Sequence, residues 1–287
     1  MGSEWRGSTR RGQGSLARMK RLIVAADDYA QNAAVDDGIL ALIDRGRITA
    51  ASCLTVSPRW NDAARRLGRD VRARADFGVH LDLTEFVRPA GGHVGLVLAC
   101  YAGTLEKARL RALIDEQLQR FEDAVGTVPD YIDGHRHVHQ LPRVRDVLLA
   151  ALLQRYGARL PWVRVSRARG LGAGLKARVV SGLGGREMAA RCRAFGLACN
   201  ERLLGFYDFS PGVAQHRVRL RTWLGEAESG DVLMCHPAVR AEPDDPIGPA
   251  RATEFEAMQG DGWLEMLAQE RIELTRGRVG TGRQQAV

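Results

Sequence analysis

The chain has 287 residues, with 45% apolar and 26% charged side chains, close to the average for soluble globular proteins. That composition excludes a collagen-like, coiled-coil or disordered chain, and no apolar run reaches the 18 residues a membrane span needs. Of the formal charge of +8, most sits at the start, where Arg6, Arg10, Arg11, Arg18, Lys20 and Arg21 face Glu4 alone. A nucleic-acid reading needs cations clustered on a folded face, so the charge does not support one.

Residues 1–19 are rich in Gly, Ser and Arg and read as a disordered basic leader, with Met19 as an alternative start. They lack the apolar centre of a secretory signal. The five cysteines (Cys53, Cys100, Cys192, Cys199 and Cys235) show no CxxC pair and no disulfide framework. A reducing, cytoplasmic setting is expected.

The run RLIVAA at 21–26, ending on Asp27 and Asp28, predicts a buried parallel strand. A helix follows over 33–45, a strand over 50–56, a short helix over 61–67 and a strand over 77–81. Residues 86–103, with five glycines or prolines, predict a long loop. A helix over 105–125 stops at Gly126, and 131–134 is a strand. Further on come a helix at 143–156, a strand at 161–165, an unassigned Gly/Arg-rich stretch at 166–185, a helix at 217–228 and a strand at 231–235. A helix at 252–269 and a strand at 271–274 close the domain, and the tail 277–287 is expected to be disordered. Strands alternating with helices imply a parallel sheet. The predicted fold is α/β, a single (β/α) barrel-like domain over 20–276 with about seven to eight mostly parallel strands.

Residues able to do chemistry fall at the C-terminal ends of these strands, the edge where parallel α/β folds carry their sites. Asp27 and Asp28 follow the first strand, His80 lies in FGVHL, Asp133 with His135, His137 and His139 follow Tyr131-Ile132, and His236 follows DVLMC. Adjacent carboxylates repel unless a cation or proton separates their roles, so one suits a metal and the other a base. In an extended HRHVH the three imidazoles share one face, and neutral imidazole is a common metal ligand. An Asp with two His and open positions suits a catalytic divalent ion. His236, before a proline that favours an extended backbone, is the candidate general acid. Cys235 alternates off the His236 face and is not taken as a nucleophile. His93, His216 and the pairs Asp36-Asp37 and Asp244-Asp245 read as structural or solvated. No Walker P-loop, GxGxxG, GxSxG or HExxH occurs.

The strings LIVAADDYA, GVHLDLT, YIDGHRHVHQLP and MCHPA, in that order across about residues 20–240, resemble the YdjC-like carbohydrate deacetylases, a group that includes the chitooligosaccharide and hopanoid-biosynthesis deacetylases. The resemblance implies a (β/α)-barrel-like fold and divalent-metal-dependent removal of N-acetyl groups from N-acetylated sugars, glycolipid-linked ones included. By position it implies that Asp28, His80 and His135 hold Mg²⁺ or Zn²⁺, that Asp27 is the base and that His236 is the acid. Arg164 and His137 are carried over as substrate-binding or site-supporting residues. Ala30 stands where the family usually has glycine, which bears on substrate fit. The implied partner is the sugar substrate, with no nucleic acid and no membrane span; a homodimer stays open. Another metal-dependent amide or ester hydrolase, or an inactive carbohydrate-binding protein, is the alternative.

Overall fold

The computed structural model describes residues 18–168 and 180–277. Residues 1–17 of the basic leader, the centre of the stretch 166–185, and the tail from 278 lie outside the described residues. Eight strands form one sheet: β1 (Lys20–Tyr29), β2 (Ala50–Cys53), β3 (Asp76–Leu81), β4 (Tyr131–Gly134), β5 (Trp162–Val163), β6 (Leu203–Leu204), β7 (Val232–Cys235) and β8 (Ile272–Leu274). All pairings among these strands are parallel. The order is β5-β4-β3-β2-β1-β7-β6, and β8 pairs with the first residues of β1, ahead of β7.

The sheet curls until its two ends meet. Val163 bridges Cys199 in parallel, and the Val163 N–H donates to the Ala198 carbonyl at 2.9 Å. The Asn200 amide then caps both the N–H and the carbonyl of Val165, at 2.7 and 3.0 Å. The expected barrel-like architecture is therefore present, with side-chain amide bonds standing in for part of one ladder.

Strand periodicity divides the side chains into two sets. Ile23, Ala25, Ala50, Tyr131, Trp162, Leu203, Val232 and Met234 form a small core enclosed by the curl. Leu22, Val24, Ala26, Phe77, Val79 and Ile132 belong to the larger core between sheet and helices. Tyr131 and Trp162 stack at 4.5 Å within the enclosed core, and Gly78 makes room for them, since a Cβ there would lie 2.7 Å from the Tyr131 ring. Continuing each enclosed row by two residues reaches Asp27, Ser52, His80, Asp133, Arg164 and His236. The polar layer of the site thus inherits its direction from the apolar layer beneath it.

Among the described residues the α-helices are α1 (Ala33–Asp44), α2 (Trp60–Ala64), α3 (Arg69–Arg74), α4 (His93–Ala102), α5 (Lys107–Val125), α6 (Val144–Tyr156), α7 (Arg186–Ala194), α8 (Val213–Glu226), α9 (Gly248–Gln259) and α10 (Asp261–Gln269). Three expectations are corrected. The long loop expected over 86–103 contains α4: its run VGLVLACYA forms a helix that buries Leu96 and Cys100 and ends on Gly103 in the left-handed region. The single helix expected over 252–269 is two, because Gly260 is extended, at φ −89° and ψ 176°, and caps the second. The two-residue strand β6 is too short to show a period, and the sequence reading has no strand there.

Candidate metal centre and catalytic site

Asp27 continues the inward parity of Ile23 and Ala25, so Asp28 should face away. It does not, because the β1–β2 register slips between Ala26 and Tyr29. Asp28 adopts φ 72° in this bulge, a conformation Asp tolerates better than most residues. The slip turns both carboxylates toward the same strand-end cavity, as the expectation of two roles for neighbouring carboxylates requires. Asp36 of α1 braces the turn: its Oδ1 accepts the Ala30 N–H at 2.7 Å and its Oδ2 pairs with Arg59 at 2.9 Å. Asp36 is therefore structural, as read from the sequence.

Asp28 Oδ1 lies 2.9 Å from His135 Nδ1 and 3.4 Å from His80 Nε2. These three side chains offer one ligand atom each within 4.8 Å of one another. The other nitrogen of His80, Nδ1, is held by Asp133 Oδ1 at 2.6 Å, the outer-shell carboxylate that fixes the tautomer of a metal-bound imidazole. Ser52 Oγ donates to the second oxygen of Asp133 at 2.6 Å. Burial alone would lower the His80 pKa, but the Asp133 and Asp27 carboxylates outweigh it and raise it to about 10. One carboxylate oxygen and two imidazole nitrogens, with the outer carboxylate in place, fit a divalent metal ion.

Asp27 belongs to a different arrangement. Arg164 Nη1 and Nη2 donate to its two oxygens at 2.6 and 2.7 Å, and Arg164 Nε lies 2.9 Å from Asp133 Oδ2. Burial would raise the Asp27 carboxyl, but Arg164, His80 and His236 hold it well below the usual carboxylate range. His236 Nε2 stands 3.8 Å from Asp27 Oδ2. Behind it, the His236 backbone N–H donates to Glu254 Oε2 at 2.5 Å, and His236 Nδ1 is 3.8 Å from Glu254 Oε1. Tyr207 donates its hydroxyl to that same Oε1 at 2.5 Å.

The expected extended HRHVH face is corrected. Residues 135–140 form a 3₁₀ turn in which Arg136 and His137 take φ of 52° and 60°. Of the three imidazoles, only His135 reaches Asp28. His137 lines the cavity, bonded through Nδ1 to Ser166 Oγ at 2.8 Å, and burial together with the Arg164 charge holds its pKa well below normal. His139 turns into the core, its Nε2 on the Arg164 carbonyl at 2.7 Å, and burial lowers its pKa to about 4. Arg164 is fully buried behind Asp27 and absent from the cavity lining. Its guanidinium contacts Asp27 and Asp133. Burial raises the Cys235 thiol well above normal, in keeping with no nucleophilic role.

The cavity measures about 350 Å³ and is lined by Asp27, Asp28, His80 and His135 together with Phe206 and Phe209. His93, read as structural or solvated, also lines it, as does Asp245. His216 is buried against Tyr207 and Trp223. Sequence reasoning missed Arg251 and Glu254, which lie on α9, and read Asp245, in the segment between β7 and α9, as structural or solvated.

These features define the class: a parallel barrel-like domain with an Asp/His centre at its strand ends, whose donor set suits a divalent cation beside an ionised carboxylate. The chain belongs to the YdjC-like family, whose model, described as YdjC-like protein, matches residues 21–269. A carbohydrate deacetylase of Mus musculus is 30% identical over 251 residues, covering 78% of this chain and 79% of that protein. A human carbohydrate deacetylase is 33% identical over 169 residues, or 53% of this chain and 50% of its own length. A chitooligosaccharide deacetylase of Yersinia pestis (strain Pestoides F) is 32% identical over 142 residues, or 46% of this chain and 55% of its own. Among solved structures, a provisionally assigned cellobiose-phosphate cleavage protein of Enterococcus faecalis V583 superposes with a TM-score of 0.64 at 22% identity, covering 90% of this chain and 98% of that one. A peptidoglycan N-acetylglucosamine deacetylase gives 0.52 at 12% identity, covering 89% and 85%. At these identities the two structures speak to fold alone. Among the described residues no helix is long and apolar enough to cross a membrane.

Proposed function

We propose that this protein is a metal-dependent hydrolase that removes N-acetyl groups from N-acetylated carbohydrates, chitooligosaccharide-like or glycolipid-linked, and releases acetate. The observation that carries the reading is the placement of Asp27 and His236, 3.8 Å apart, beside the donor set Asp28, His80 and His135. The carbohydrate class comes from the named relatives, which are carbohydrate and chitooligosaccharide deacetylases.

Asp28, His80 and His135 hold the ion, magnesium or zinc. When bound, it supplies Lewis acidity toward the acyl carbonyl and makes water more acidic. Asp27, kept ionised by Arg164, accepts a proton from the attacking water. His236 gives a proton to the leaving amine as the C–N bond breaks, leaving acetate and the free amino sugar. His137 and the aromatic wall of Phe206 and Phe209 contact the sugar. The five free cysteines suit a cytoplasmic enzyme.

Acetate release from N-acetylchitobiose and from glycolipid-linked N-acetylglucosamine, with and without chelator, tests the reading. Chelator-sensitive release is the expected result. No release from any N-acetylated glycan by metal-loaded protein would overturn it.

A further inference from the structure

Asp28 is an awkward residue on which to build a metal ligand. It sits in a bulge with φ 72°, and a free carboxylate there could turn either oxygen, or both, toward a cation. The structure leaves it no such choice. Arg251 of α9 donates from Nη2 to Asp28 Oδ2 at 2.7 Å, so Oδ1 alone faces His80 and His135. Arg251 is itself fixed at the other end, its Nε donating to Asp245 Oδ2 at 2.7 Å. Asp245 Oδ1 in turn accepts the Ile247 N–H at 3.1 Å. The Arg251, Asp28 and Asp245 side chains are all nearly inaccessible, at 4%, 2% and 6% exposure.

We propose that Arg251 is a positioning residue for the metal centre, orienting Asp28 as a one-oxygen ligand while its anchor Asp245 ties that ligand to the cavity wall. The proposal rests on the metal-dependent reading above, and it extends that reading to residues outside the strand ends. An Arg serves here where a Lys would not. Its planar fork reaches two carboxylates from different directions at fixed angles, whereas an ammonium is a point charge. The wall formed by Asp245, Pro246 and Ile247 is then coupled to the ligand through a single side chain. Coupling of this kind is reciprocal, so occupancy of one side favours the ordered arrangement of the other.

Removing Arg251 alone would leave Asp28 and Asp245 as two bare carboxylates, and their added negative charge would attract a cation and mask any loss of geometry. The test therefore uses Arg251→Gln combined with Asp245→Asn, which exchanges a neutral ion pair for a neutral pair of amides. Metal-free full-length protein is titrated with Co²⁺, and affinity and visible absorption are read without any substrate. The expected result is a loss of about 10–100-fold in Co²⁺ affinity, the usual effect of removing an outer-shell partner, together with a changed absorption band as Asp28 turns. Arg251→Lys should show a smaller loss in the same direction. Arg202→Gln removes a comparable ion pair, with Asp231, at a distance from the site. It should lower thermal stability and leave Co²⁺ binding unchanged.

Wild-type affinity and spectrum in the double variant would overturn the proposal. If the double variant does not fold, the same result in Arg251→Lys overturns it. An equal loss in Arg202→Gln would also overturn it, by showing that any destabilisation weakens the site. Wild-type protein that binds no Co²⁺ would instead sink the metal-dependent reading, and this proposal with it.

Discussion

Asp27 and Arg164 meet through two parallel hydrogen bonds, Nη1 to Oδ1 at 2.6 Å and Nη2 to Oδ2 at 2.7 Å, with both side chains buried. The bidentate form fixes the carboxylate plane as well as its charge. Arg164→Met would leave the buried Asp27 without its bidentate partner and would take from Asp133 a contact at 2.9 Å, while His80 and Ser52 still hold Asp133. Breaking one side of a buried pair typically costs about 3–5 kcal/mol. Urea unfolding should show a loss of that order, with Arg164→Lys falling between wild type and Arg164→Met. A change too small to resolve would mean that Asp27 and Asp133 share a proton instead of depending on the guanidinium.

Gly38 is a second point of leverage on the site, from the far side of α1. A Cβ at this position would lie 2.8 Å from the Ala238 Cα and 3.1 Å from its carbonyl carbon, two residues beyond His236. The neighbour is backbone, so the contact cannot be relieved by a rotamer change. Gly38→Ala should cost about 1–3 kcal/mol, as overpacking usually does, and should slow turnover by displacing His236. Co²⁺ affinity should be retained, because Ala238 belongs to a segment that supplies none of the three ligands. Turnover at the wild-type rate would show that the segment after β7 yields without moving His236.

His236 should be separable from the metal. His236→Ala is expected to lower turnover of an N-acetylated sugar by about 10²–10⁴-fold, the usual range for a lost general acid, with metal content unchanged. A substrate whose leaving group needs no proton, such as an aryl acetate, should lose far less. Glu254→Gln should follow the same pattern more weakly, since Glu254 holds the His236 backbone through a 2.5 Å bond. If both substrates slow equally, His236 acts in binding or attack and not in departure of the amine.

The polar layer is legible in the sequence wherever a strand runs straight. The period of two that buries Tyr131, Val232 and Met234 carries on to Asp133 and His236, and residues after an apolar run do fall at one edge. Legibility fails where the backbone leaves that period. The HRHVH segment scatters its imidazoles because Arg136 and His137 enter the left-handed region, and no local residue pattern announces this. The pair Asp244-Asp245 reads as a solvated loop, yet Asp245 supports Arg251. Its importance depends on the contact that Arg251 makes with Asp28, 223 positions away in the chain. Helix α4 is hidden by the glycines around it. Gly95, which reads as a breaker, lies so close to the Ala90 carbonyl oxygen that a Cβ would stand 2.1 Å from it.

Asp27 and Asp28 should fail in different ways although they are chemically identical neighbours. The bulge gives each its own partners: Arg164 for Asp27, and Arg251 with two imidazoles for Asp28. Asp27→Asn keeps the shape but loses the charge and cannot take a proton from water. Metal content should survive while turnover drops by about 10²-fold or more. Asp28→Asn replaces an anionic oxygen donor with a weaker neutral one, so metal affinity should fall first and added metal should restore part of the rate. Metal content per chain and turnover, measured for each variant at low and high metal, distinguish the two. Dialysis of wild-type protein against chelator sets the baseline: turnover should vanish, then return with Zn²⁺, Mg²⁺ or Co²⁺. The opposite pattern, with Asp27→Asn losing metal and Asp28→Asn keeping it, would exchange the two roles. Equal metal loss in both variants would mean that both carboxylates hold the ion, leaving no separate base. The water proton would then have to leave through His236 or another water.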